Sequence, residues 1–178
     1  MILLASASEA ILFRWKQGIM DFSPLDFAYN FASLTEKLIK LQPEILLLDY
    51  ELLNLNSERS ILELINLRAG IKIVVFSPEL PNEIEWKLFK AGIKGCCQNN
   101  IQPEQIKRVI NVILQGELWI RRTLTNQILD ELVKVTHEKN RVDKAVNELL
   151  DNLTRREYQI ATLVGRGESN KRIESNLH

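Results

Sequence analysis

The sequence predicts an α/β chain: a five-stranded, doubly wound parallel sheet, then a linker helix, then part of an all-α helix-turn-helix. Three observations carry this. Short apolar runs alternate with helix-period segments over the first 115 or so residues, an apolar stripe at helical spacing follows, and the C-terminal stretch holds a capped helix, a glycine turn and a second cap.

Ile2-Leu3-Leu4-Ala5 opens the chain as an apolar run of strand length, and a helix follows over 9–17. Strands are then predicted over 25–29, 45–48, 71–76 and 93–97, with helices over 34–41, 58–67, 83–90 and 105–115. The last of these places Ile106, Val109, Ile110 and Ile113 on one face. Strand-helix alternation at this spacing builds a parallel sheet with right-handed crossovers and helices on both faces. Any ligand belongs at the carboxyl ends of the strands. A flavodoxin-like repeat of five βα units fits residues 1–117.

Residues 118–152 read as a linker helix and connector. Leu124, Ile128, Leu132 and Val135 recur at steps of four, four and three, with Asp130, Glu131 and Lys134 on other faces. Such a stripe either packs on a neighbouring domain or joins two copies, and is too short by itself to specify a coiled coil. Lys139-Asn140-Arg141 is the predicted flexible point.

Residues 153–178 form the third part. Thr154-Arg155-Arg156-Glu157 has the form of a capping box, Ala161, Ile160, Leu163 and Val164 share a face, and Gly167 suits a left-handed helix end. Ser169 then caps a second helix that turns Ile173 and Leu177 inward. This segment carries five cations, Arg155, Arg156, Arg166, Lys171 and Arg172, against three carboxylates. The whole chain is balanced at 23 basic and 23 acidic residues, so any affinity for nucleic acid is local.

The length of 178 residues suits one ordinary domain plus a small appendage. No apolar run approaches the roughly 20 residues of a membrane span, and the first residues enter a strand pattern without a basic leader. A soluble, cytoplasmic protein with no membrane contact is expected. Cys96 and Cys97 are sequence neighbours, which excludes a disulfide framework and a four-ligand zinc site. Buried packing is expected of them rather than redox work. His137 and His178 lack ligand-spaced partners, and Trp15, Trp86 and Trp119 fall in or beside helices, where packing is the default.

The run from Leu153 to Leu177, Leu-Thr-Arg-Arg-Glu through Gly-Glu-Ser-Asn-Lys-Arg-Ile, resembles the LuxR-type DNA-binding domain. In that family the next helix enters the major groove, and its place lies beyond His178. The resemblance implies duplex DNA as partner, bound through the complete helix-turn-helix. Ser169, Asn170, Lys171 and Arg172 occupy the first turn of the second helix, where amides, dipole and cations favour phosphate contacts.

Residues 1 to about 116 resemble a response-regulator receiver domain. Ile45-Leu46-Leu47-Leu48-Asp49 ends a buried strand in a carboxylate, Val74-Val75-Phe76-Ser77 ends one in a hydroxyl, and Ala91-Gly92-Ile93-Lys94-Gly95 leads into the last strand. Gly116-Glu117-Leu118-Trp119-Ile120 also resembles the exit from the last receiver helix in LuxR-type regulators. The resemblance implies Asp49 as phospho-acceptor and Ser77 as switch hydroxyl. Two departures bear on it. Where the family has an acidic, magnesium-holding pair the chain reads Ala5-Ser6-Ala7-Ser8, and where the family has a lysine it reads Asn99. Phosphoryl transfer to a carboxylate leans on a divalent cation and a fixed positive charge.

The sequence therefore predicts a DNA-binding transcription regulator with a degenerate, phosphorylation-independent receiver. It is expected to be a homodimer, with a regulatory protein as a further partner. No catalytic residue, metal or cofactor is expected, and no enzymatic activity. The alternatives are a conventional two-component regulator switched through Asp49, or a receiver-only interaction module if His178 is the true end.

Overall fold

The computed structural model describes residues 1–151 except 23, 54 and 55. The predicted helix-turn-helix, with its phosphate-contact candidates Ser169, Asn170, Lys171 and Arg172, lies outside the described residues. Five strands, β1 (Ile2–Ala5), β2 (Leu25–Ala28), β3 (Ile45–Asp49), β4 (Lys72–Ser77) and β5 (Gly95–Gln98), make one sheet in the order β2-β1-β3-β4-β5. Every neighbouring pair is parallel. Between and after them run α1 (Glu9–Gly18), α2 (Phe31–Leu41), α3 (Ser57–Leu67), α4 (Asn82–Ala91), α5 (Pro103–Leu114) and α6 (Arg122–Asp151), with a 3-10 turn at Tyr50–Leu52.

Because strand side chains alternate between faces, each apolar run feeds two cores at once. Leu3, Leu46, Leu48, Ile73 and Val75 pack with α2, α3 and α4 residues such as Leu38, Leu64 and Leu88. Leu4, Ile45, Leu47, Val74 and Phe76 pack on the opposite face with α1 and α5 residues such as Trp15 and Ile110. Trp15 is fully buried, its ring 4.4 Å from that of Phe76 at 42°. The two helices of that layer approach closely at Gly18, where a Cβ would meet the Pro103 carbonyl oxygen at 2.4 Å.

β1 spans the predicted residues, the element ends that do shift move by one to three residues, and caps account for several of those shifts. α2 begins at Phe31 rather than Leu34 because Asn30 and Ser33 form a reciprocal capping box. α5 begins at Pro103, whose fixed φ and missing donor suit a first turn. β5 begins at Gly95 rather than Ile93 because Gly92 ends α4 at φ 114° and the chain is still turning there.

The largest departure is at Lys139-Asn140-Arg141. The predicted flexible point is helical, and α6 runs unbroken through it for 30 residues. Lysine and arginine are good helix formers, and no glycine or proline interrupts the segment. Contacts divide the chain after Ile128: one unit, Met1–Ile128, holds the sheet and its helices, and the other begins at Leu129.

Candidate functional site

The parallel register brings the ends of the central strands together. Ala5 pairs with Leu48 and Asp49 with Phe76, so Ser6, Asp49 and Ser77 follow one another across the carboxyl edge. Ser77 in turn pairs with Gln98, which places Asn99 beside it. Asp49, Ser77, Asn99 and, from the run that replaces the acidic pair, Ser6 thus occur at one end of the sheet, and these four are buried, whereas Ala7 of that run is exposed.

Asp49 is held by neutral donors. The fully buried Ser6 hydroxyl donates to Asp49 Oδ2 at 2.5 Å, and the Glu51 amide donates to Oδ1 at 3.2 Å. Ser6 Oγ also accepts the Ser8 amide at 3.1 Å, so the loop that replaces the acidic pair is tied to the aspartate through one hydroxyl. Asp49 is 1% exposed. Ser77 Oγ donates to the Glu79 carbonyl oxygen at 2.9 Å, within its own loop. Asn99 donates its amide to the Ser77 carbonyl oxygen at 3.0 Å, while its buried Oδ1 has no partner.

Glu9 stands exposed in the first turn of α1, one residue past the Ser8 cap. Among the described residues no group of three His, Cys, Asp or Glu side chains is placed to hold a metal ion. The donor set around Asp49, one buried carboxylate with both oxygens already bonded and hydroxyls beside it, does not fit magnesium. Arg14 of α1 was not singled out by the sequence patterns. Its Nη1 donates to the Asn99 carbonyl oxygen at 3.1 Å, bringing a cation to this end of β5.

Cys96 and Cys97 lie on opposite faces of β5, one in each core. They cannot act as a vicinal thiol pair. Burial, with the nearby Glu85 carboxylate adding to it, pushes both thiols up, Cys97 to about 12. A thiol that stays protonated at neutral pH is a poor nucleophile.

A second charged cluster joins α4 to the segment that follows α5. Glu85 of α4 is fully buried and receives Arg121, whose Nε donates to Glu85 Oε2 at 2.5 Å and whose Nη2 donates to the same oxygen. Nη2 also donates to the Leu80 carbonyl oxygen at 2.7 Å. The Glu85 hydrogen bond, set against partial burial, raises the arginine above its ordinary value. Two residues earlier, Trp119 bonds to β5 as a lone bridge, accepting from the Cys96 amide and donating to the Lys94 carbonyl oxygen. Gly95 makes room for it: a Cβ there would lie 3.1 Å from that of Trp119. One sequence signal could have found this cluster. Glu85 is three residues before Leu88 and six before Ala91, so it falls on the buried face of α4.

The fold has counterparts among solved structures. A two-component response regulator of the LuxR family from Aurantimonas superimposes with a TM-score of 0.62 at 17% identity, covering 74% of this chain and 96% of that one. The fold is that of a flavodoxin-like receiver domain. In sequence the chain is similar to the oxygen regulatory protein NreC of Staphylococcus haemolyticus, 26% identical over 106 residues, which is 60% of this chain and 48% of the relative. It is also similar to the nitrate/nitrite response regulator NarL of Escherichia coli K12, 27% identical over 158 residues, 88% of this chain and 69% of that one. The chain thus spans about half the length of the first relative and about two thirds of the second. No protein-family model matches it. No helix among the described residues is long and apolar enough to cross a membrane.

Proposed function

We propose that the protein is a DNA-binding transcription regulator of the response-regulator type, acting in the cytoplasm, whose receiver-like domain works without metal-dependent phosphorylation and catalyses nothing. The observation that carries this reading is the Ser6–Asp49 hydrogen bond of 2.5 Å. A hydroxyl stands where a receiver of the resembled family holds a metal-binding carboxylate, and it already satisfies the oxygen that a phosphoryl group would need. Asn99 supplies no positive charge to offset one. The response-regulator assignment draws its support from the similarity to NreC and NarL, together with the receiver fold.

A conventional switch through Asp49 draws on one observation of its own: Asp49 and Ser77 stand at adjacent strand ends, as the resemblance requires. The two readings separate in a DNA-binding experiment on a chain that includes the complete helix-turn-helix. The affinity for duplex DNA is expected to be the same with and without acetyl phosphate and magnesium. Lys171→Ala is expected to weaken binding about equally on specific and random sequence and to lower the salt slope by roughly one. A phosphodonor-dependent gain in affinity that Asp49→Ala abolishes decides for the conventional switch.

A further inference from the structure

From Ile128 onward the apolar stripe of α6 changes its step. Ile128, Leu132, Val135, Val142, Val146 and Leu149 occupy a strict alternation of four and three residues, with Lys139 in the one remaining place. That is a heptad seam with Leu132, Lys139 and Val146 at a, and Ile128, Val135, Val142 and Leu149 at d, sustained over three heptads of a continuous helix. Leu132, Val135 and Val142 are each more than half exposed, although a helix turns such a stripe away from water when it has a surface to cover it.

We propose that α6 pairs with α6 of a second copy of this chain as a parallel, in-register, two-stranded coiled coil. This deepens the proposed function by supplying the contact between copies, and it fails separately from it. The charge pattern selects the occupant. In a parallel pair each a side chain packs beside the g position of the other helix, so Lys139 of one copy meets Glu138 of the other, and symmetry makes the contact twice. A partner of unrelated sequence has no such built-in match. Lys139 also limits the number of strands. Leu132 at a with Ile128 at d would alone favour more than two helices, but an ammonium at a reaches water from the side of a two-stranded seam and is enclosed in a larger one.

Sedimentation of the full chain, with single-cysteine cross-linking, tests this. The wild-type chain is expected to sediment as a dimer, and Leu132→Glu with Val135→Glu as a monomer with its far-ultraviolet spectrum retained. Val142→Cys, at a d position, is expected to oxidise to a covalent dimer well before His137→Cys, which lies at f on the outer face; the two buried native thiols stay unreacted. Lys139→Leu is expected to tighten self-association by roughly tenfold or to raise the oligomer number, since it removes the polar layer that specifies a pair. A monomeric wild-type chain, a wild-type tetramer, equal cross-linking at 137 and 142, or no effect of Lys139→Leu overturns the proposal. DNA binding by a monomeric chain likewise removes the coiled coil and leaves the proposed function standing.

Discussion

Among the described residues two carboxylates are buried, one at a strand end and one on a helix, and they are held by different means. Asp49 sits at the carboxyl end of β3 under a serine hydroxyl and a backbone amide, all neutral donors from the strand ends themselves. Glu85 sits on the inner face of α4 against a guanidinium that comes from beyond α5, one residue before α6. The first arrangement is local to the edge of the sheet and closes it. The second ties the start of α6 to α4, and the Trp119 bridge on β5 fixes the same segment next to it. A cation therefore meets a buried carboxylate at the junction between α5 and α6, while neutral donors hold the carboxylate at the end of β3.

If that contrast holds, the two sites respond unequally to deletion. Arg121→Ala leaves Glu85 buried with no cation, and a loss of about 3 kcal/mol is expected, at the low end for a broken buried pair because the Arg121 side chain is 34% exposed. Urea unfolding of the full chain measures it, and a loss under about 0.5 kcal/mol would make the contact an ordinary surface pair. Ser6→Ala removes a neutral donor from a buried carboxylate and is expected to cost about 1–2 kcal/mol in the same assay. Asp49→Asn keeps one oxygen for the Glu51 amide, and its Nδ2 can donate to the Ser6 hydroxyl once that hydroxyl turns to accept, so the cost is expected to stay under about 1 kcal/mol. A cost for Asp49→Asn larger than that for Arg121→Ala would reverse the ranking of the two sites.

Near neutral pH the smallest effect is expected at the two buried thiols of β5. Below the ordinary thiol value of 9.0 both folded and unfolded chains keep Cys97 protonated, and no pH dependence arises. Above it the unfolded thiol ionises while the folded one holds its proton to about 12, so stability falls as pH rises across that window. Cys97→Ala is expected to flatten this part of the stability curve above pH 9, and the native protein is expected to react with a thiol reagent at pH 8 only as fast as it opens.

Much of the sheet was legible because a strand covered on both faces needs an apolar residue at every position, and Ile2 to Ala5 and Ile45 to Leu48 meet that demand without a break. Asp49 and Ser77 were legible as strand ends for the same reason. The hydroxyl on Asp49 was not: it depends on the register of β1 against β3, a contact 43 residues apart in sequence. The helical period of α4 points to a buried Glu85, but its pairing with Arg121, like that of Trp119 with Gly95, is a long-range contact that no local period announces. The end of α2 nearest Asn30 was displaced by a cap whose side chains, Asn30 and Ser33, carry no apolar signal. In α6 polar residues at 139–141 suggested a break, although side-chain polarity alone does not interrupt a helix.

The proposed function requires Asp49 to be closed to phosphoryl transfer, and direct labelling of the full chain tests this. Incubation with acetyl phosphate and magnesium, followed by intact-mass measurement, is expected to leave the mass unchanged at Asp49, while the double variant Ser6→Asp with Asn99→Lys, which restores a carboxylate and a cation, is expected to gain one phosphoryl group. Stoichiometric labelling of the wild-type chain that disappears in Asp49→Ala would contradict the account.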